Sequence, residues 1–105
     1  AGRADDLILR GGVNIYPAEI EQILLTHDGV QDAVALGWPS HDMGEEIAAF
    51  VVCEDHVNAD NLVAHCRENL APYKRPREIF IVDAFPRSAL GKVAKAELKA
   101  RLKPL

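Results

Sequence analysis

The sequence of 105 residues predicts a small α+β domain, in which a three-stranded sheet packs with about three helices behind a short β-hairpin. Three observations support this fold class. Apolar runs rich in strand-forming residues indicate three strands, and apolar residues at helical spacing indicate three helices. A Gly-Gly pair between two short apolar runs indicates the hairpin. The length suits one domain with one modest core.

The first part of the chain predicts the hairpin and one helix. Residues 6–16 form the hairpin, with "DLILR" and "VNIY" on either side of Gly11 and Gly12. A helix follows from Pro17, a residue that suits the first helical position, and it ends at Gly29. Its apolar positions are Ile20, Ile23 and Leu24.

The middle of the chain predicts two strands separated by a loop. Val30, Val34 and Leu36 are expected on one face of the first strand, and Trp38-Pro39 is expected to open a polar loop. The run "IAAFVV", residues 47–52, is continuously apolar and rich in strand formers, which predicts a central strand.

The remaining elements are a capped helix, a strand and a final helix. Asn58 is expected to cap a helix that Pro72 ends, and "EIFIV", residues 78–82, predicts the third strand. Leu98 and Leu102 give the last helix its inward side. No apolar run approaches the length of a membrane span, and no signal peptide is visible.

Charge is distributed unevenly along the chain. The net charge is −4, yet from Lys74 onward nine side chains are basic and three are acidic. This part is therefore where an anionic ligand is expected, although a basic helix is often only a solvated face. No nucleic-acid partner is expected.

Several common sites are not indicated. "SALGK" resembles a phosphate-binding P-loop superficially, but Pro86 and Val93 stand where that loop needs Gly and Ser or Thr. Cys53 and Cys66 lack CxxC spacing, and we interpret them as buried thiols of a cytoplasmic protein. No metal site is expected, because the histidines lack ligand spacing; they are His27, His41, His56 and His65.

Two segments together resemble one enzyme family. "GRADDLILRGGVNIYPAEIE", residues 2–21, resembles the hinge-and-hairpin motif that opens the C-terminal domain of adenylate-forming (AMP-binding) enzymes. "FPRSALGKVAK", residues 85–95, resembles the closing motif of that domain, and "APYKRPREIFIVDAFPR" fills the place between them. Residues 1–105 are thus identified as the C-terminal lid domain of an acyl-CoA synthetase, whose large N-terminal domain is absent.

The resemblance implies a division of the chain and a two-step reaction. Residues 1–6 would be a hinge segment, 6–16 the hairpin and 17–105 the α+β core. A carboxylate attacks the α-phosphate of ATP, giving an acyl-adenylate and pyrophosphate; the lid then rotates, and the thiol of CoA displaces AMP. The N-terminal domain would bind most of the ATP and the Mg²⁺, so the fragment alone is expected to be inactive. The sequence does not indicate which carboxylic acid the enzyme activates.

The resemblance also implies roles in the first step. Lys92 matches the family's adenylation lysine, which bridges the α-phosphate and the attacking carboxylate, and Gly91 gives its loop freedom. Arg3 matches an ATP-binding arginine, and Lys92 would contact ATP as well. Asp5 matches the hinge position. From the residues alone, an exposed surface lysine is the favoured interpretation of Lys92, and the resemblance reverses that preference.

A second set of residues is implied for CoA. Gly11 and Gly12 would line the pantetheine tunnel, where a surface without side chains lets the thiol arm pass. Tyr73 would stack on adenine, while Arg75 and Arg77 would hold the 3′-phosphate. Some relatives carry an aromatic residue at the place of Met43. The alternative for Gly11 and Gly12 is a plain glycine turn, and the alternative for residues 73–77 is a solvated basic loop.

Other functions remain open on the sequence. One is the lid of an adenylation domain that loads a carrier protein, although Asn14 and Pro17 favour the CoA branch. A luciferase-like oxidation is disfavoured, because Asp5 stands where luciferases tend to carry lysine. A stand-alone nucleotide-binding module is the third.

Overall fold

The computed structural model describes residues 7–105, and within them the α+β class is confirmed. This part of the chain contains five strands, three α-helices and a 3₁₀ turn at Pro72–Lys74. In chain order they are β1 (Ile8–Arg10), β2 (Val13–Ile15), α1 (Pro17–Leu25), β3 (Val30–Ser40), β4 (Gly44–Cys53), α2 (Ala59–Asn69), β5 (Glu78–Ile81) and α3 (Lys95–Ala100). None of these helices is long and apolar enough to cross a membrane.

All five strands form one mixed sheet, which corrects the expectation of a separate hairpin in front of three strands. β3 and β4 pair antiparallel along nearly their whole length, and β5 pairs parallel with β4. The hairpin joins the other strands through β1, which meets β4 at Arg10 and Gly44. Ile8 and Ile15 enter the core, at 0% and 1% exposure, and hydrophobic burial therefore draws the hairpin into the sheet.

β3 continues through Trp38-Pro39, where the sequence predicted the start of a loop. The Trp38 ring is buried, and its indole N–H donates to the carbonyl of Lys103 at 2.7 Å. Pro39 has no N–H to donate, and it is tolerated because no strand of residues 7–105 pairs with the outer edge of β3. Along that edge, the N–H of Leu105 donates to the carbonyl of Pro39 at 2.9 Å.

A register shift in β3 changes the predicted face of Val30. Val34 and Leu36 lie in the core cluster on one side of the sheet, as predicted, but Val30 packs against the cluster on the other side. The shift falls between Val30 and Asp32. An irregularity of this kind reverses the side on which the residues before it point.

α1 and α2 begin where the sequence predicted, but α1 ends at Leu25 and not at the predicted Gly29. Pro17 is the first residue of α1, and α2 is capped by Asn58. The Asn58 side chain accepts from the Asn61 N–H at 2.9 Å, while the Asn61 side chain accepts from the Asn58 N–H at 3.1 Å. Such a reciprocal cap stabilises a helix by about 1 kcal/mol.

The core has two parts, one on each face of the sheet. The first lies under α1 and α2 and includes Ile20, Leu24 and Leu62. The second lies under α3 and includes Phe50, Leu98 and Leu102; the two leucines point inward as predicted, but Leu102 lies beyond the end of α3 at Ala100. Alternate residues of β3 and β4 point into the two clusters. The sheet therefore separates α1 and α2 on one face from α3 on the other.

Candidate functional site

The loop that carries Lys92, residues 86–94, is closed by backbone hydrogen bonds. The Ser88 N–H donates to the Lys92 carbonyl at 2.8 Å, and the Gly91 N–H donates to the Ser88 carbonyl at 2.9 Å. Arg87 and Val93 form an isolated antiparallel bridge at its base. The backbone of Lys92 therefore has a defined position within the domain, while its side chain lies at the surface.

Gly91 and Arg87 support this Lys92 loop. Gly91 has a φ of 83°, a conformation that side-chain-bearing residues rarely adopt. The Arg87 guanidinium donates to the Gly91 carbonyl at 3.0 Å and lies 3.5 Å from a carboxylate oxygen of Asp32 in β3. Sequence reasoning missed Arg87, although its place in the closing motif, five residues before Lys92, was a usable signal.

The turn between β1 and β2 contacts the loop that joins β3 to β4. Gly11 and Gly12 have φ angles of 55° and 83°, as a tight hairpin turn requires. The Gly11 N–H donates to the Met43 carbonyl at 2.8 Å. A Cβ on Gly11 would lie 2.9 Å from the Met43 Cε, while one on Gly12 would meet nothing within 4 Å. Gly11 thus packs directly against Met43, whereas Gly12 leaves an open surface.

The basic segment 73–77 uses two of its cations inside the domain. Lys74 Nζ donates to Glu19 of α1 at 2.9 Å, and this hydrogen bond raises the pKa of Lys74. The Arg75 guanidinium donates to the carbonyls of Leu70 and Arg67 at 3.0 and 2.9 Å. Arg75 therefore satisfies carbonyls at the C-terminal end of α2, a structural task that the sequence did not reveal.

Arg77 and Tyr73 are the more exposed members of the same segment. Tyr73 is 44% exposed, and its ring centroid lies 5.5 Å from Lys74 Nζ. The Arg77 side chain is exposed, and its backbone N–H donates to the Ile47 carbonyl of β4 at 2.7 Å. The backbone of Arg77 is thus fixed on the sheet while its guanidinium reaches the surface.

Two clefts meet at Arg77. The first, of about 280 Å³, lies between α2 and the basic segment and is lined by Arg67, Arg75 and Arg77 above Cys66. The second, of about 410 Å³, is lined by Arg77 and Met43. Through Met43 this second cleft adjoins the Gly11 turn. The structure therefore brings Gly11, Met43 and Arg77 together, whereas Tyr73 lines neither cleft.

The two thiols have raised pKa values. Burial raises the pKa of Cys66 to about 11, against a smaller lowering by Arg75, and Cys66 is 2% exposed as predicted. Cys53 is only half-buried; desolvation, Asp55 and Glu54 raise its pKa. Both cysteines are free thiols. Across residues 7–105, no three His, Cys, Asp or Glu side chains group as metal ligands.

Two predicted site residues, Arg3 and Asp5, lie outside the described residues. The remaining predicted residues fall into two sets, the Lys92 loop on one hand and Gly11, Gly12, Tyr73, Arg75 and Arg77 on the other. A loop that exposes a lysine on a fixed backbone suits delivery of one positive charge.

The chain belongs to the AMP-binding enzyme C-terminal domain family, whose profile matches residues 19–92. A 2-succinylbenzoate–CoA ligase of Oceanobacillus iheyensis is 41% identical over 96 residues, which are 91% of this chain and 20% of that protein. The chain thus spans about a fifth of the length of the curated relatives it matches.

Two solved structures have closely similar folds. ATP-bound MatB from Rhodopseudomonas palustris aligns with a TM-score of 0.89 at 33% identity, over 95% of this chain and 20% of that one. The o-succinylbenzoate CoA synthetase MenE from Bacillus subtilis, in complex with the acyl-adenylate intermediate OSB-AMP, aligns with a TM-score of 0.84 at 41% identity, over 92% and 20%.

Proposed function

We propose that this chain is the lid domain of an ATP-dependent acyl-CoA synthetase, which converts a carboxylic acid, ATP and CoA into acyl-CoA, AMP and pyrophosphate. The observation that carries the proposal is the closed loop that exposes Lys92 in a domain of this family. Relatives named as CoA ligases, and structures with ATP and an acyl-adenylate, support the same reaction. The free cysteines support a cytoplasmic location.

In the first step Lys92 would supply one positive charge. Negative charge builds on the α-phosphate and the attacking carboxylate, and an ammonium group between them stabilises both. Arg3 would contact ATP as well. The described residues do not fit a magnesium site, because no three potential ligands come together. Magnesium would therefore be held by the N-terminal domain.

In the second step a different face of the domain would meet the thiol substrate after rotation at Asp5. Gly12 offers an open backbone surface, and the cleft of about 410 Å³ beside the Gly11 turn is lined by Met43 and Arg77. This arrangement suits a flexible thiol arm that continues into a phosphorylated nucleotide. Tyr73, exposed in the same segment, would stack on the adenine.

The Lys92→Ala variant of the full-length enzyme tests the proposal. Adenylate formation should fall on the order of 10²–10³-fold, because one preorganised charge is lost. Thioester formation from supplied acyl-adenylate should be nearly unchanged, since the lysine acts in one lid position. The measurements are pyrophosphate release for the first step and thioester yield for the second.

Lys103→Ala is the matched control, because it removes an exposed lysine beyond the opposite end of α3 and should leave both steps at normal rates. The isolated 105-residue chain should release no pyrophosphate. Normal adenylation by Lys92→Ala would remove Lys92 from the first step. Transfer to a carrier protein but never to CoA would favour the carrier-dependent alternative.

A further inference from the structure

Two adjacent glutamates hold the hairpin from opposite sides of β4. In the described chain, β1 meets β4 through one residue pair, Arg10 with Gly44. The Glu46 carboxylate accepts from the Arg10 guanidinium at 2.8 Å, and the Glu45 carboxylate accepts from the Leu9 N–H at 2.9 Å. Side-chain carboxylates therefore reinforce a junction that has little backbone pairing.

Glu45 differs from Glu46 in reaching a third element. Its second carboxylate oxygen lies 3.5 Å from Lys99 Nζ, on α3. The two side chains are 26% and 47% exposed, so the pair is partly shielded from water. α3 begins at Lys95, three residues after Lys92. Glu45 thus connects β1, β4 and the helix that directly follows the Lys92 loop.

The sheet leaves room for this carboxylate at Gly37. A Cβ at Gly37 would overlap the Glu45 carboxylate, most closely at Oε2, the oxygen that faces Lys99. Gly37 is not among the glycines with positive φ, so its backbone would accept alanine. Because the obstructing group is the end of a flexible side chain, alanine would displace the carboxylate rather than the sheet.

We propose that Glu45 is a positioning residue, which fixes α3 and the Lys92 loop relative to the strand that leaves the hinge. This inference rests on the proposed function, in which a rotation before β1 must carry Lys92 to the reacting groups. A rotation delivers the lysine accurately only when the loop and β1 move as one body, and small misplacements of a catalytic charge cost rate. Glu45 links β1 to α3, the helix that follows the Lys92 loop, through its contacts with Leu9 and Lys99.

Three variants of the full-length enzyme separate the contacts of Glu45. Glu45→Gln keeps an acceptor for the Leu9 N–H and removes the charge that faces Lys99, while Lys99→Met removes the pair from the other side. Both should slow adenylate formation by about three- to tenfold and change thioester formation from supplied acyl-adenylate by less than about twofold. The KM for ATP should stay the same.

Gly37→Ala gives a different expected result. It displaces the carboxylate from Leu9 and Lys99 together, so the hairpin loses support as well. Both half-reactions should slow in this variant. The double variant Glu45→Gln/Lys99→Met should be no slower than either single variant, because both changes break the same contact.

The control is Lys103→Met, which makes the same change of charge four residues beyond Lys99 and should leave the ratio of the two half-reactions unchanged. A purely structural role would lower the thermal midpoint of Glu45→Gln and Lys99→Met without changing that ratio, and this result would overturn the proposal. Additive effects in the double variant would also overturn it. If Lys92→Ala, measured alongside, leaves adenylation intact, the proposed function fails instead.

Discussion

The Lys92 loop and the basic segment 73–77 both carry cations at the surface, but the domain uses those cations differently. Lys92 stands on a loop whose backbone is closed by its own hydrogen bonds, and its side chain is exposed. In the basic segment, Lys74 is paired with Glu19, and Arg75 is bonded to carbonyls of α2.

The difference shows that a cation's availability depends on the acceptors the fold places beside it. Lys74, Arg75 and Arg77 look alike in the sequence, yet two of them stabilise the domain and Arg77 is left exposed. A bound anion would have to displace protein acceptors from Arg75, whereas Arg77 has a side chain already at a cleft. We therefore expect unequal contributions from the two arginines.

Replacing each arginine in the full-length enzyme sharpens this comparison and carries the largest expected effect. Arg77→Ala should raise the KM for CoA by about ten- to a hundredfold, because a charge-assisted hydrogen bond contributes roughly 1.5–3 kcal/mol. Arg75→Ala should mainly lower the thermal midpoint, since two α2 carbonyls lose their donor. Steady-state kinetics with each substrate varied would separate the two outcomes.

Dephospho-CoA is the control ligand for that experiment. It lacks the 3′-phosphate, so wild type and Arg77→Ala should use it about equally well. If Arg77→Ala still prefers CoA strongly over dephospho-CoA, the phosphate is bound elsewhere. If Arg75→Ala raises the KM for CoA as much as Arg77→Ala does, without loss of stability, then Arg75 also binds CoA and the two arginines do not differ in role.

A matched pair of glycines tests whether the two regions act in different steps. Gly91 and Gly12 share a φ of 83°, and a Cβ on either would meet nothing within 4 Å. Alanine should cost about 1–2 kcal/mol at each, through the backbone alone. Gly91→Ala should slow adenylation and Gly12→Ala should slow thioester formation, each by about fivefold or more, because each change misplaces a reacting group.

The half-reaction assays described for Lys92→Ala would measure both variants. Equal losses of stability serve as the internal control, because the two φ angles match. The separation of steps would be contradicted if both alanine variants slowed the same half-reaction.

The smallest expected effect concerns the thiol beneath the basic segment. Burial holds the pKa of Cys66 at about 11, and the Arg75 charge lowers it. Removing that charge with Arg75→Ala should raise the pKa further, so the thiolate should appear at higher pH. Arg77→Ala should leave it unchanged. Ultraviolet titration of thiolate in a Cys53→Ser background would measure this, and equal shifts for both variants would contradict the assigned contact.

Most of the fold was predictable because its signals are local. Pro17 and Asn58 mark helix starts through their own backbone chemistry, and both were predicted correctly. The extension of β3 was missed, since it depends on Trp38 meeting Lys103, 65 residues away in the chain. The joining of the hairpin to β4 depends likewise on contacts distant in sequence.

The candidate site stays a prediction, and its residues were chosen from motifs in the sequence. Lys92 was found by its resemblance to a family motif, and its exposure agrees with a surface role. The separate fates of Arg75 and Arg77 could not be predicted, because α2 carbonyls that engage Arg75 reach it only in the folded chain. The sequence shows which residues are charged, but not which hydrogen-bond acceptors the fold places beside them.

The long ladder between β3 and β4 has a consequence for the order in which the chain folds. A loop of three residues, 41–43, joins the two strands, so their pairing closes with little loss of chain entropy. β5 pairs with β4 only after the intervening segment and α2 have crossed over, and this contact is slower to form. The β3–β4 hairpin is therefore the expected folding nucleus, and the basic segment, which precedes β5, acquires its arrangement late.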